Sequence, residues 1–154
     1  MARRVFFSFH YDNDIWRANQ VRNSNVVVGA DVAGFFDHSE YEEAKKKGKE
    51  GIQRMILNHL KDTTVTVVLI GAETANRPWV KYEIERSIAR KKGLLGIYIP
   101  HLKDPNSPPA SRGAKPAVPK GVAFPAHAWD KDLDRFRKAI EAAGKQADAL
   151  RAAK

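Results

Sequence analysis

The sequence predicts an α/β fold of flavodoxin-like layout, a parallel sheet with helices on both faces. Three observations predict it. Val65 to Ile70 is an unbroken apolar or β-branched run closed by Gly71, too short for a helix and of the kind buried on both faces of a parallel sheet. Val5 to Phe9 and Leu94 to Ile99 are two further runs of that kind. Segments of helical periodicity lie between them, and an alternating order with right-handed crossovers makes the strands parallel.

The elements follow in order. VFFSF at Val5 to Phe9, interrupted only by Ser8, reads as the first central strand. The polar turn His10 to Asp14 leads into a short helix from about Asp14 to Arg22, with Ile15, Ala18 and Val21 inward and Asp12 or Asn13 as its cap. Val26 to Gly29 and Val32 to Phe36 flank Gly29-Ala30-Asp31, which fits one irregular strand or a short hairpin. Ser39 and Glu42 have capping-box spacing, so a helix can begin there, but Gly48 and Gly51 weaken it and a loop with a late helix fits equally. Ile52, Met55, Ile56 and Leu60 then recur at helical spacing up to Asp62.

After the Val65 to Ile70 strand and a polar loop, Pro78 stands at a first helical position, where its missing N–H costs nothing. From Trp79 the pattern is helical. Trp79, Tyr82 or Glu83, Arg86 and Arg90 share one side, and Val80, Ile84, Ile88 and Ala89 the other. Glu83 therefore lies about one turn into a helix that starts at the carboxyl edge of the sheet, where open α/β sheets bind ligands. Residues 100–125 hold seven of the eight prolines and predict a long surface loop over 100–127. A last helix is expected from about Asp130 to Ala152, its first half packed on the sheet and its alanine-rich second half projecting.

Composition bounds the function. A chain of 154 residues, 43% hydrophobic and 29% charged, reads as one soluble domain, and no segment approaches the apolar length of a membrane span. With no cysteine there is no disulfide, thiolate nucleophile or cysteine metal site, and His101 and His127 lack metal-ligand spacing. The expectations are a cytoplasmic protein, no membrane and no metal. The net charge of +9 is spread along the chain among acidic residues, and its only dense run, Lys45, Lys46, Lys47 and Lys49, sits beside Glu40, Glu42, Glu43 and Glu50. That pattern argues against a specific nucleic-acid stripe but suits a small anionic ligand.

Three blocks together resemble a known family. VFFSF, GFFD after the second strand, and VTVVLIG…RPWVKYEIERSI resemble the sheet and helix blocks of TIR domains. WVKYE is similar to the TIR pattern of a tryptophan followed four residues later by the catalytic glutamate, which places that role on Glu83. The opening SFHYDNDIWRANQVRNS resembles a bacterial TIR-like subfamily that includes the Thoeris ThsB anti-phage proteins. The likeness covers roughly residues 3–100, inside a single TIR-like domain spanning the chain.

The resemblance implies an enzyme that cleaves the nicotinamide–ribose bond of NAD, as NAD glycohydrolase or ADP-ribosyl cyclase. It implies a cyclic ADP-ribose-type second messenger that reaches an effector protein by diffusion, and a homo-oligomer held by TIR–TIR contacts. NAD is then substrate, and no separate cofactor is needed. Nicotinamide leaves a cationic ring and departs neutral, so one ionised carboxylate suffices to orient the ribose and offset its developing positive charge. An exposed glutamate, with a pKa of about 4.3, is charged at pH 7 unless well buried. Candidate substrate-binding residues at the same edge are Ser8, Phe9, His10, Tyr11 and Asp12 after the first strand, Phe36 and Asp37 after the second, and Arg77 and Trp79 after the third.

Plainer roles exist for each. Glu83 could pair with Arg86 or Arg90 in solvent, Trp79 could anchor the helix, His10 could be a loop residue and Asp12 a cap. The rival from another class is a non-catalytic TIR-type interaction module using Asp37 to Gly51. A receiver domain needs an aspartate where Gly71 stands, and SFHYDN lacks the glycines of a dinucleotide-binding turn.

Overall fold

The apolar runs become strands whose order positions everything else. In a computed structural model of the protein, residues 4–23, 32–34, 38–61, 63–99, 113–130 and 132–153 are described. They form β1 (Val5–Ser8), α1 (Tyr11–Asn23), β2 (Val32–Gly34), α2 (His38–Lys46), α3 (Gly48–Leu60), β3 (Val65–Ile70), a 3-10 turn (Thr74–Asn76), α4 (Pro78–Ala89), β4 (Gly93–Tyr98), β5 (Ala126–Ala128) and α5 (Leu133–Ala152). The sheet runs β2-β1-β3-β4-β5 and every pairing is parallel. This is the flavodoxin-like order, with all carboxyl ends on one edge.

Alternation along the strands divides the core between the two faces. Val65, Val67 and Leu69 of β3 and Leu95 and Ile97 of β4 join the cluster that holds Phe136, Ile140 and Ala143 of α5. Val68, Ile70, Leu94 and Tyr98 join a second cluster with Val80 and Ile84 of α4 and with Phe124. Ser8 and Phe6 register against Val68 and Thr66, so β1 also offers its even-numbered residues to the α4 side. That parity decides the site, because it aims Ser8 at α4.

Several expectations are corrected. α1 begins at Tyr11, and the Asp14 amide already donates to the His10 carbonyl oxygen at 2.9 Å, so Asp12 and Asn13 lie inside the first turn and do not cap it. The region around Ser39 is helical from His38, and the chain breaks at Lys47 into α3, with Gly48 at φ 74°, a left-handed conformation that glycine adopts cheaply. α5 starts three residues later than expected, capped by Asp132, whose side chain accepts from the Arg135 amide at 3.1 Å. Its second half does not project: Ala143, Gly144 and Ala147 are buried. The proline-rich stretch ends in a strand that alternation could not reveal, β5, paired with β4 from Gly96↔Ala126 to Tyr98↔Ala128. Val26 to Asp31, Phe35 to Asp37 and residues 100–112 lie outside the described residues.

Candidate active site

Glu83 is two percent exposed, on the inner face of α4 with Val80, Ile84 and Ser87. Two hydroxyls fix the helix there. Ser87 Oγ donates to the Glu83 carbonyl oxygen at 2.7 Å and lies 2.7 Å from Thr66 Oγ1 on β3. Since the Ser87 proton is committed, Thr66 donates to Ser87, which ties α4 to the strand beneath it. At the carboxyl end of β1, Ser8 Oγ donates to Glu83 Oε1 at 2.7 Å, with both groups buried. The expected alternative, Glu83 paired with Arg86 or Arg90 in water, does not occur.

Burial changes the chemistry of this acid. Removal from water pushes the Glu83 pKa up from 4.5 to about 8, with the Ser8 hydrogen bond pulling the other way. The sequence expectation of a charged carboxylate holds for an exposed glutamate; burial places Glu83 under the exception, and its carboxyl resists ionisation at pH 7 in the free protein. Ser8 contributes what stabilises the charged form. In Ser8→Ala the carboxylate loses a donor worth about 1.5–3 kcal/mol, so its midpoint should rise by roughly one to two pH units. A carbon-13 NMR titration of the Glu83 carboxyl reads this directly, and an unchanged midpoint would remove Ser8 from this role.

The carboxyl opens on a cleft of about 280 Å³. Phe9 and His10 come from the end of β1, Arg77, Pro78 and Trp79 from the start of α4, and Tyr41, Ile52, Met55 and Ile56 from α2 and α3. Trp79 meets Tyr82 edge-on at 5.7 Å and packs on the main core, so it is both an anchor and a wall. Arg77 Nη2 lies 3.4 Å from Glu73 Oε2 in an exposed pair of little strength, while its buried Nε has no hydrogen-bond partner among the described residues. Arg77 is thus placed to turn toward an acceptor in the cleft. Thr74 braces the loop behind it, accepting from the Gly71 amide at 2.7 Å.

The structure brings together Ser8, Phe9, His10, Arg77, Trp79 and Glu83, five of them as cleft walls and Ser8 through the carboxyl. Tyr11 and Asp12 lie in the first turn of α1, and Phe36 and Asp37 lie outside the described residues. The wall from α2 and α3 was missed. The stripe Ile52, Met55, Ile56 pointed to a packed helix, but nothing local to Tyr41 marked it as facing the same opening. Among the described residues no group of three His, Cys, Asp or Glu could hold a metal, and no helix is long and apolar enough to cross a membrane.

A parallel sheet in this order, with a buried glutamate on the helix after β3 and an aromatic cleft at the carboxyl edge, defines a TIR-like domain. Residues 6–104 match the family described as Thoeris protein ThsB, TIR-like domain, and the chain belongs to that family. Over 118 residues it is 46% identical to the "Putative cyclic ADP-D-ribose synthase ThsB1" of Bacillus cereus (strain MSX-D12), a match covering 75% of this chain and 62% of the relative. The chain thus spans less than two thirds of that relative's length.

Proposed function

We propose that this protein cleaves the nicotinamide–ribose bond of NAD and closes the ADP-ribose into a cyclic product, a diffusible signal for an effector in anti-phage defence. The observation that carries the reading is the Ser8-held, desolvated carboxyl of Glu83 on an aromatic cleft at the carboxyl edge of the sheet. The name of the Bacillus relative, a cyclic ADP-D-ribose synthase, points to the same chemistry. An interaction module has no use for a glutamate kept protonated by burial, a costly arrangement that clusters at reactive sites.

The chemistry follows from the charges. The nicotinamide ring of NAD is cationic, and its arrival beside Glu83 favours the ionised carboxylate, so binding expels the proton. The buried carboxylate then faces the ribose as positive charge moves onto it, while neutral nicotinamide departs without needing an acid. Trp79 and Phe9 offer faces for ring stacking and Arg77 a donor for the ribose hydroxyls. Ile52, Ile56 and Val80 line the cleft and disfavour water as the attacking group, which leaves a nucleophile on the tethered adenosine to close the ring. Homo-oligomers built through TIR–TIR contacts would complete the enclosure.

The test is incubation of concentrated protein with NAD, with products separated by chromatography. Free nicotinamide and a cyclic isomer of ADP-ribose are expected. Because NAD selects the ionised form, kcat/KM should rise about tenfold per pH unit below pH 8 and level off above it. Absence of nicotinamide release at every pH and protein concentration would sink the reading.

A further inference from the structure

Resting on the NAD reading, we propose that a second site, the groove between α2 and α3, binds the diphosphate half of the dinucleotide. The Glu83 cleft alone is too small. At about 280 Å³ it lies below the roughly 300–1,000 Å³ of pockets for drug-sized ligands, and a dinucleotide comprises two nucleosides and a diphosphate. It accommodates the nicotinamide riboside end, and the remainder must leave along a neighbouring surface.

Of the other cavities among the described residues, the α2–α3 groove shares a wall with this cleft. Its volume is about 380 Å³, and Met55 lines both. Met55 stands between them, packed in the core at 7% exposure, and its flexible thioether must give way for a ligand to pass. The larger cavity, about 640 Å³, sits on the other side of α4 against residues 115–119 and has no lining residue in common with the cleft. The groove also has the right charge. Lys47, Arg54 and His59 line it, with Glu43 as its one acid, and Glu43 is matched by Lys46 at 3.3 Å. No ion pair of Lys47 or Arg54 occurs among the described residues, so both cations are available to a diphosphate, and Arg54 has the planar fork that grips phosphate oxygens in pairs. In this arrangement the labile bond lies at Glu83, the diphosphate passes where Met55 gives way, and Lys47 and Arg54 receive its charge.

The test compares two substrates carrying the same labile bond, NAD and nicotinamide riboside, in the native chain and in Lys47→Ala/Arg54→Ala. Both side chains are exposed, and a thermal melt confirms that the variant folds. The KM for NAD should rise at least tenfold more than the KM for nicotinamide riboside, and the difference should shrink with added salt. Equal changes for the two substrates, or none for NAD, would overturn the proposal. A second measurement separates this from the reaction itself: calorimetric binding of ADP-ribose to both chains. Tenfold weaker ADP-ribose binding in the variant supports the groove even if the native chain releases no nicotinamide, an outcome that would defeat only the NAD reading. Unchanged ADP-ribose affinity removes the groove whatever the turnover.

Discussion

Glu83→Gln is expected to lower NAD turnover at least 100-fold and, in the same variant, to raise the melting temperature more at pH 8 than at pH 5. The first effect follows from charge. Glutamine keeps the shape and can still accept from Ser8 at the position of Oε1, but it cannot become an anion beside the ribose, and groups that stabilise developing charge contribute roughly 10² to 10⁴ in rate. The second follows from linkage. The acid titrates at about 8 folded and 4.5 unfolded, so between those values the native state holds more protons. Its contribution to stability is fully present below pH 4.5 and is lost as pH rises toward 8. Glutamine has no proton to lose, so the variant escapes this decline. From pH 5 to pH 8 the difference amounts to on the order of 3 kcal/mol, which at roughly 2–4 °C per kcal/mol for a domain of this size is about 6–12 °C. Thermal melts at the two pH values read it. A variant with native turnover would end the catalytic assignment, and a melting difference that does not change with pH would mean the carboxyl is not held protonated by the fold.

That paired expectation shows where local sequence stops being informative. The strands β1, β3 and β4 were legible because an unbroken apolar run such as Val65 to Ile70 fits little else, and Pro78 marked the start of α4 to the residue. The resemblance of WVKYE to the TIR pattern singled out Glu83. Its environment was not legible. On a helical wheel Glu83 falls with Arg86 and Arg90, and a charged residue there reads as solvated. The partner that makes it otherwise, Ser8, arrives from 75 positions away through the registry of β1 with β3. β5 was hidden for a different reason. Ala126–Ala128 has little strand propensity and follows prolines, and it is a strand because β4 offers it an open row of backbone groups. The cleft wall from α2 and α3 depends on how two helices turn at Gly48, which composition does not encode.

The second large effect lies at the opposite edge of the sheet. Gly93→Ala should lower the melting temperature by about 10 °C. A methyl group at Gly93 would stand 2.0 Å from the Ala143 carbonyl oxygen and 2.6 Å from its carbon, both backbone atoms of α5. Neither can rotate away, so the helix or β4 must shift by more than an ångström to restore ordinary contact. The small residues Ala143, Gly144 and Ala147 exist in this light as the means by which α5 lies directly on the strand, which is why its alanine-rich half is buried. A shift there also disturbs the backbone bond from the Gly93 amide to the Thr64 carbonyl oxygen at 2.9 Å and the pairing of Gly93 with Val65. Overpacking costs typically 1–3 kcal/mol, and a clash against rigid backbone belongs at the upper end; about 3 kcal/mol corresponds to roughly 6–12 °C at this size. Because Gly93 is at the amino end of β4 and faces α5, on the side of the sheet away from α4 and Glu83, the folded fraction at low temperature should turn over NAD at the native rate per molecule. A melting temperature within 2 °C of the native value would show that α5 does not rest on this strand as closely as the geometry requires.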